Sequence, residues 1–159
     1  LHDVILRGPS EFTVGEREMM AAFVSGVNQC DFCSGTHAAV AELFGIPENR
    51  VQCLLEDPES AGLEDKWLPL LDYLKKLTLT PARMSDLDAE KVFAAGWSEE
   101  AVFDAILICG LFSFSNRVVE GSGVRVNAEH VEVSRSRHGQ MFHKPNPYSE
   151  AGRDIGIID

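Results

Sequence analysis

Cys30, Cys33 and His37 stand at i, i+3 and i+7 within Cys30-Asp31-Phe32-Cys33-Ser34-Gly35-Thr36-His37. On a helix of about 3.6 residues per turn those positions share one face, so two thiols and an imidazole converge. A Cys-x-x-Cys at a helix start also sets its sulfurs near unpaired backbone N–H groups and the positive end of the helix dipole, which favours the thiolate. Asp31 works against this, because one negative charge disfavours another nearby. His37, one turn beyond Cys33, is placed to take a proton from a thiol or return one to a leaving group. If a peroxide oxidises one cysteine to a sulfenic acid, the second thiol condenses with it, and the disulfide protects the site from over-oxidation. Ser34 and Gly35 leave little bulk around the pair, as access by a substrate requires, and Phe32 reads as a packing residue.

The same residues have plainer uses. Free cysteine behaves as a small hydrophobe, but Cys30 and Cys33 are set among Asn28, Gln29, Asp31 and Ser34, which is not an apolar neighbourhood. A structural zinc site wants four ligands, and beyond Cys30, Cys33 and His37 no second Cys or His pair lies close in sequence. No metal or cofactor is therefore expected. Cys53, before Leu54 and Leu55, and Cys109, after Leu107 and Ile108, read as core residues, whereas His2, His130, His138 and His143 read as surface residues.

Helical punctuation surrounds the motif. Thr13 and Glu16 form a capping-box pattern ahead of Met19, Met20, Phe23, Val24 and Val27. A helix then runs from near Cys30 through Ala38, Ala39, Val40 and Leu43 to a stop at Gly45. Pro47 is expected in the first turn of a short helix carrying Val51, Leu54 and Leu55. An apolar helix from Trp67 to Leu77 must end before Pro81. Ser85 with Asp88 opens the next one, Gly96 closes it, and Ser98 caps the longest, with Val102, Ile106, Leu107, Leu111 and Phe112 along it. Gly45-Ile46-Pro47-Glu48 with Val51 parallels Gly96-Trp97-Ser98-Glu99 with Val102, a faint repeat or a shared helix-turn-helix device. The pattern fades after Arg125, and Gly139, Pro145, Pro147 and Gly152 make His138 to Arg153 read as an irregular arm. The expectation is one all-α domain over residues 1–159, a helical bundle with its core at about 11–124 and an irregular C-terminal arm at about 125–159.

Composition narrows the partners. The 159 residues are 45% hydrophobic and 25% charged, with 14 Lys and Arg against 25 Asp and Glu and a formal charge of −11. Nucleic acid and anionic membranes both need a basic patch, so neither is an expected partner. No apolar run reaches the roughly 20 residues of a membrane span. Leu1 to Ser10 lack the basic start and apolar stretch of a signal peptide, although a chain beginning with Leu could have lost its targeting information. Four cysteines do not make a disulfide scaffold in a chain this long, so a reducing cytoplasm is expected.

The stretch Glu18-x11-Cys30-x-x-Cys33-x-x-x-His37 resembles the active-site signature of the alkylhydroperoxidase AhpD-like, carboxymuconolactone decarboxylase superfamily. Phe114-Ser115-Asn116-Arg117, followed by Gly121 or Gly123, resembles the F-N-R…G region of its peroxidase-related branch. The resemblance spans roughly Glu11 to Val124. It implies an all-helical AhpD-like bundle in which Cys33 attacks a small hydroperoxide and Cys30 resolves the product. It also implies a proton relay of His37 and Glu18, with Glu18 reaching in from the preceding helix. An external thiol or dithiol would be the reductant, and the protein would be a homo-oligomer (dimer, trimer or hexamer). Phe32 departs from the pattern, since the best-studied members carry a histidine between the cysteines. Asn116 and Arg117 read as structural residues. Two rival functions stay open: a carboxymuconolactone decarboxylase-like lyase, which does not depend on a Cys pair, and a non-catalytic redox-sensing oligomeric module.

Overall fold

The computed structural model describes residues 1–125, 141–154 and 156. Its helices are α1 (His2–Arg7), α2 (Val14–Val27), α3 (Asp31–Leu43), α4 (Arg50–Glu56), α5 (Trp67–Leu79), α6 (Asp86–Ala94), α7 (Glu99–Ser122) and α8 (Pro147–Asp154), with 3-10 turns at Pro58–Ala61 and Pro81–Arg83. No strand occurs among the described residues, and the fold is the all-α bundle expected.

Helix α2 is the hub. Thr13 starts it through a capping box in which the Thr13 N–H donates to Glu16 Oε2 (2.8 Å) and the Glu16 N–H to Thr13 Oγ1 (3.2 Å). Met19, Met20, Ala21, Ala22, Phe23 and Val24 are all buried, as happens when neighbours cover a helix on every side. Those neighbours are α1, α3, α4, α5 and α7. Gly26 leaves room for α4, because a Cβ there would lie 2.4 Å from Leu55 Cδ1 and that side chain would have to shift.

The end of α2 sets the start of α3. The Gln29 N–H bonds the Gly26 carbonyl and the Cys30 N–H the Ser25 carbonyl, each at 2.9 Å. This is a Schellman closure, and it puts Gln29 in the left-handed region at φ +60°. The Ser34 N–H then returns to the Cys30 carbonyl at 2.9 Å. Cys30 is therefore both the last residue of one helix end and the N-cap of the next, its backbone bonded on both sides.

Two further Schellman closures explain the paired glycine stretches. Gly45 (φ +90°) and Ile46 bond back to Glu42 and Ala41, and Gly96 (φ +100°) and Trp97 to Phe93 and Val92. The restarts differ. Ser98 caps α7 by accepting the Ala101 N–H at 3.0 Å. Pro47 only opens a turn closed by the Arg50 N–H (3.1 Å), and α4 begins at Arg50 after Asn49 at φ +61°. Pro47 thus lies outside the helix in which it was expected, and the likeness is a shared helix ending. Among the described residues α7 has the length and apolar composition of a membrane span. Its inner face (Ala105, Ile108, Cys109, Phe112) is core, packed on α2 and α5.

Both ends of the chain depart from expectation. Helix α1, unannounced by any cap, is held by Arg17, whose Nη1 donates to the carbonyls of Gly8 (2.7 Å) and Ile5 (3.2 Å). The segment read as an irregular arm contains α8. Pro147 occupies its first turn, where a missing N–H costs nothing. Asp3 caps it from α1, accepting the Tyr148 N–H at 3.0 Å, the Ser149 N–H at 2.8 Å and the Ser149 hydroxyl at 2.5 Å. His143 is exposed against the Phe44 ring, centroids 4.7 Å apart, whereas His130 and His138 lie outside the described residues.

Burial pushes the Asp3 carboxyl up, but the Ser149 hydroxyl and the two amides outweigh it and hold the group below its usual range. A carboxyl lowered by folding stabilises fully above its unfolded pKa of about 3.9, and the contribution disappears as pH falls through the lower folded value. Hydrogen exchange at the Tyr148 and Ser149 amides is therefore expected to stay slow from about pH 7 to pH 5 and to lose protection only below about pH 4. Asp3→Ala should weaken that protection at neutral pH by about 1 kcal/mol, the worth of a helix cap. At the other hinge, Gln29→Gly should raise stability in urea unfolding by about 0.5–1 kcal/mol, because glycine enters the left-handed region without a Cβ clash. Gln29→Val should lower it.

Candidate active site

The buried carboxylate of Glu18 organises the site. Its residue is 0% exposed, and each oxygen is bound from other helices. Oε2 meets His37 Nδ1 from α3 at 2.5 Å. Oε1 meets Arg7 Nη1 from α1 at 2.6 Å and accepts the Tyr148 hydroxyl from α8 at 2.7 Å. Burial alone would push the carboxyl up. The His37 charge and hydrogen bond, then Arg7 and Tyr148, hold it below its usual range. An ionised carboxylate can only accept, so His37 carries a proton on Nδ1 in this pair.

Aromatic rings wall the pair. His37 lies edge-on to Phe112 at 4.5 Å and parallel to Tyr148 at 6.2 Å. The Arg7 guanidinium sits over Phe44 at 5.2 Å and over Tyr148 at 5.4 Å. Its Nε and Nη2 have no hydrogen-bond partner among the described residues. Tyr148 is pushed well above the usual phenol range, first by burial and then by Glu18, so it remains a hydrogen-bond donor. His2, expected at the surface, is instead wedged between Phe112 (5.9 Å) and Tyr148 (5.2 Å). Burial, then the His37 charge, lower its pKa and keep it neutral at pH 7.

Both thiols are free and buried, Cys30 at 0% and Cys33 at 5% exposure, although the polar residues around them in sequence pointed to an open setting. Asn28, one of those polar residues, is bonded across to Asn116. Asn28 Nδ2 donates to Asn116 Oδ1 (2.9 Å), and Asn116 Nδ2 to Ser25 Oγ (3.0 Å). Asn116 is thus a buried structural residue, as expected, and Arg117 is exposed, donating to its own helix at the Ser113 carbonyl.

The thiols are not equivalent. Burial, then the adjacent Cys33 thiol, push Cys30 up to about 12, with Glu120 a smaller cause in the same direction. Cys30 therefore keeps its proton near neutral pH. Cys33 occupies the first turn of α3, where the helix dipole favours negative charge. His37 follows one turn later, at a spacing that puts Cβ atoms about 6 Å apart. No hydrogen bond joins the imidazole to either sulfur among the described residues. A cavity of about 230 Å³ is lined by Asn28, Asn116, Arg117 and Glu120. Ser34 and Gly35 open elsewhere, lining a cavity of about 370 Å³ bounded by Arg50 and Val51 of α4. Phe32 is half-buried. Cys109 is core, 3.3 Å from the Thr78 hydroxyl, and Cys53 packs against the core. No group of three or more His, Cys, Asp or Glu placed to hold a metal occurs among the described residues.

Glu18 and His37 thus touch where α2 packs on α3, and Cys30 and Cys33 stand at the turn that joins the two helices. Arg7, Tyr148 and Asp3 were missed. Tyr148 is 130 residues from its partner, and the available signal was Asn146-Pro147, an N-cap type followed by a first-turn proline.

No family model matches the chain. It is 27% identical over 109 residues to the uncharacterized protein YdfG of Bacillus subtilis (strain 168), covering 69% of this chain and 74% of that protein. Among solved structures it is similar to an uncharacterized peroxidase-related protein from Silicibacter sp. TM1040, with a TM-score of 0.74, 26% identity and coverage of 82% of this chain and 68% of that one. It is likewise similar to an alkylhydroperoxidase AhpD core, an uncharacterized peroxidase-related protein from Ralstonia eutropha JMP134. There the TM-score is 0.75 with 25% identity, covering 84% of this chain and 70% of that one. In fold and in sequence the chain is thus similar to AhpD-like proteins of the peroxidase-related branch.

Proposed function

We propose that residues 1–159 act as one unit, a thiol-dependent peroxidase that uses Cys33 as nucleophile, Cys30 as resolving thiol and the His37–Glu18 pair as proton relay. The observation that carries this reading is the 2.5 Å contact between a buried carboxylate and an imidazole one turn from a free dithiol. Cys33 passes its proton to His37 Nε2 and attacks the terminal oxygen of a small hydroperoxide. The O–O bond breaks, Cys33 becomes a sulfenic acid, and the imidazolium returns the proton to the departing alkoxide, giving an alcohol. Cys30, protonated until then, attacks the sulfenic sulfur, and its proton leaves with the displaced hydroxide as water. An external thiol or dithiol reduces the Cys30–Cys33 disulfide and is itself oxidised to a disulfide.

The backbone setting supports this division of labour, because Cys33 stands in the first turn of α3, where the helix dipole favours a thiolate, and Cys30 precedes the helix. Reduced cysteines are required between turnovers, which supports a reducing compartment such as the cytoplasm. The charge of −11 supports neither nucleic acid nor an anionic membrane as partner.

A homo-oligomer is supported by the outer face of α7. Phe103 (59% exposed), Leu107 (37%), Phe114 (65%) and Val118 (54%) form an exposed apolar row along it, with exposed Gly110 on the same side. An unpartnered apolar row of this kind marks an interface, and a second copy of the same helix is its natural cover.

Cys33→Ser is expected to abolish peroxide consumption with a dithiol donor. Cys30→Ser should permit one turnover and leave a sulfenic acid that dimedone traps at Cys33. Full turnover by Cys33→Ser would overturn the assignment, and decarboxylation activity surviving thiol alkylation would favour the lyase. A reversible disulfide without sustained turnover would favour the redox sensor. Phe114→Glu is expected to shift the protein to smaller species in analytical ultracentrifugation without loss of helicity.

A further inference from the structure

We infer that Arg7 and Tyr148 are positioning residues that act through Glu18 to orient His37 and to weaken it as a base. The inference deepens the peroxidase reading and rests on it. Neither residue belongs to the Cys-x-x-Cys motif, and both occupy the same oxygen, Oε1, leaving Oε2 to the imidazole. Two donors on Oε1, one of them cationic, draw charge away from Oε2. The carboxylate then stabilises a protonated imidazole less than an otherwise unpaired carboxylate would.

The other charges in reach do not change this balance. From α1, Asp3 is engaged with the α8 amides and His2 is wedged between rings. From α2, Arg17 is turned to the Gly8 and Ile5 carbonyls. Cys30 and Cys33 share α3 with His37, and α7 meets the imidazole with the edge of Phe112. Glu18 and Arg7 remain as an opposed pair beside it. Protonating His37 therefore puts a second positive charge on a carboxylate that Arg7 already holds. Orientation follows from the same contacts. With Oε1 pinned from α1 and α8, the carboxylate cannot turn, and Nε2 keeps its direction.

The test is the titration of the His37 imidazole followed by NMR, assigned by comparison with His37→Gln, together with the pH profile of peroxide consumption. Tyr148→Phe keeps the ring beside His37 and deletes only the hydroxyl. The His37 midpoint and the acid limb of the profile are expected to move up together by about 0.5–1 unit, and by about 1–2 units in Arg7→Gln, where a neighbouring positive charge is lost. Circular dichroism would identify a variant that fails to fold, and the other then decides. Unmoved or lowered midpoints in a folded variant would overturn the inference. Raised midpoints in a protein that consumes no peroxide would retain the positioning of His37 and sink the peroxidase reading instead.

Discussion

A carboxylate with no exposed surface cannot be left alone. Removing an ion from water costs several kcal/mol unless partners replace the lost hydration. Glu18 is such a group, and its replacements come from three helices: Arg7 from α1, His37 from α3 and Tyr148 from α8. The placement of these three elements around α2 is tied to satisfying one charge. The arrangement also explains why a helix as enclosed as α2 carries an ionised residue. Its neighbours supply the polar contacts that an all-apolar helix would not need.

The thiol pair depends on the same junction in another way. The Schellman closure of α2 fixes the Cys30 backbone before α3 begins, with no linker residue free to adjust. Gln29 accepts a left-handed conformation to make this possible, and strained backbone of this kind concentrates at functional sites. Cys30 is thereby held deep in the protein with its pKa raised, while Cys33 stands in the first turn under the helix dipole. Two identical side chains three residues apart thus stand in different backbone settings, one preceding the helix and the other belonging to its first turn.

The interior helices were legible because their ends carry local chemistry. Thr13 with Glu16, Ser85 with Asp88, Ser98, Gly45 and Gly96 each satisfy backbone groups within a few residues. Glu18 and His37 were legible too, through spacing and family resemblance, although the spacing alone could not show that they touch. Helices α1 and α8 were not legible, since each is capped or held by a residue remote in sequence, Asp3 for α8 and Arg17 for α1. Pro147 and Gly152 look like breakers until an external carboxylate supplies the cap. The polar residues near the thiols misled for a related reason. Asn28 bonds Asn116 and Ser34 bonds the Ala22 carbonyl rather than marking a solvated surface around the sulfurs.

The two chain ends form a closed circuit of contacts. Asp3 on α1 holds the N-terminus of α8, α8 presents Tyr148 to Glu18 on α2, and Glu18 binds Arg7, which lies on α1 with Asp3. Arg17, next to Glu18 in sequence, ties α2 to the end of α1 again. Contacts joined in a ring are not independent. Releasing any one loosens the geometry that the others require, so their energies couple rather than add. Local helix signals make most of the bundle, but the charge at its centre is completed by the residues farthest apart along the chain. The environment of His37 is therefore a property of the whole fold, while the Cys-x-x-Cys motif supplies only the sulfur.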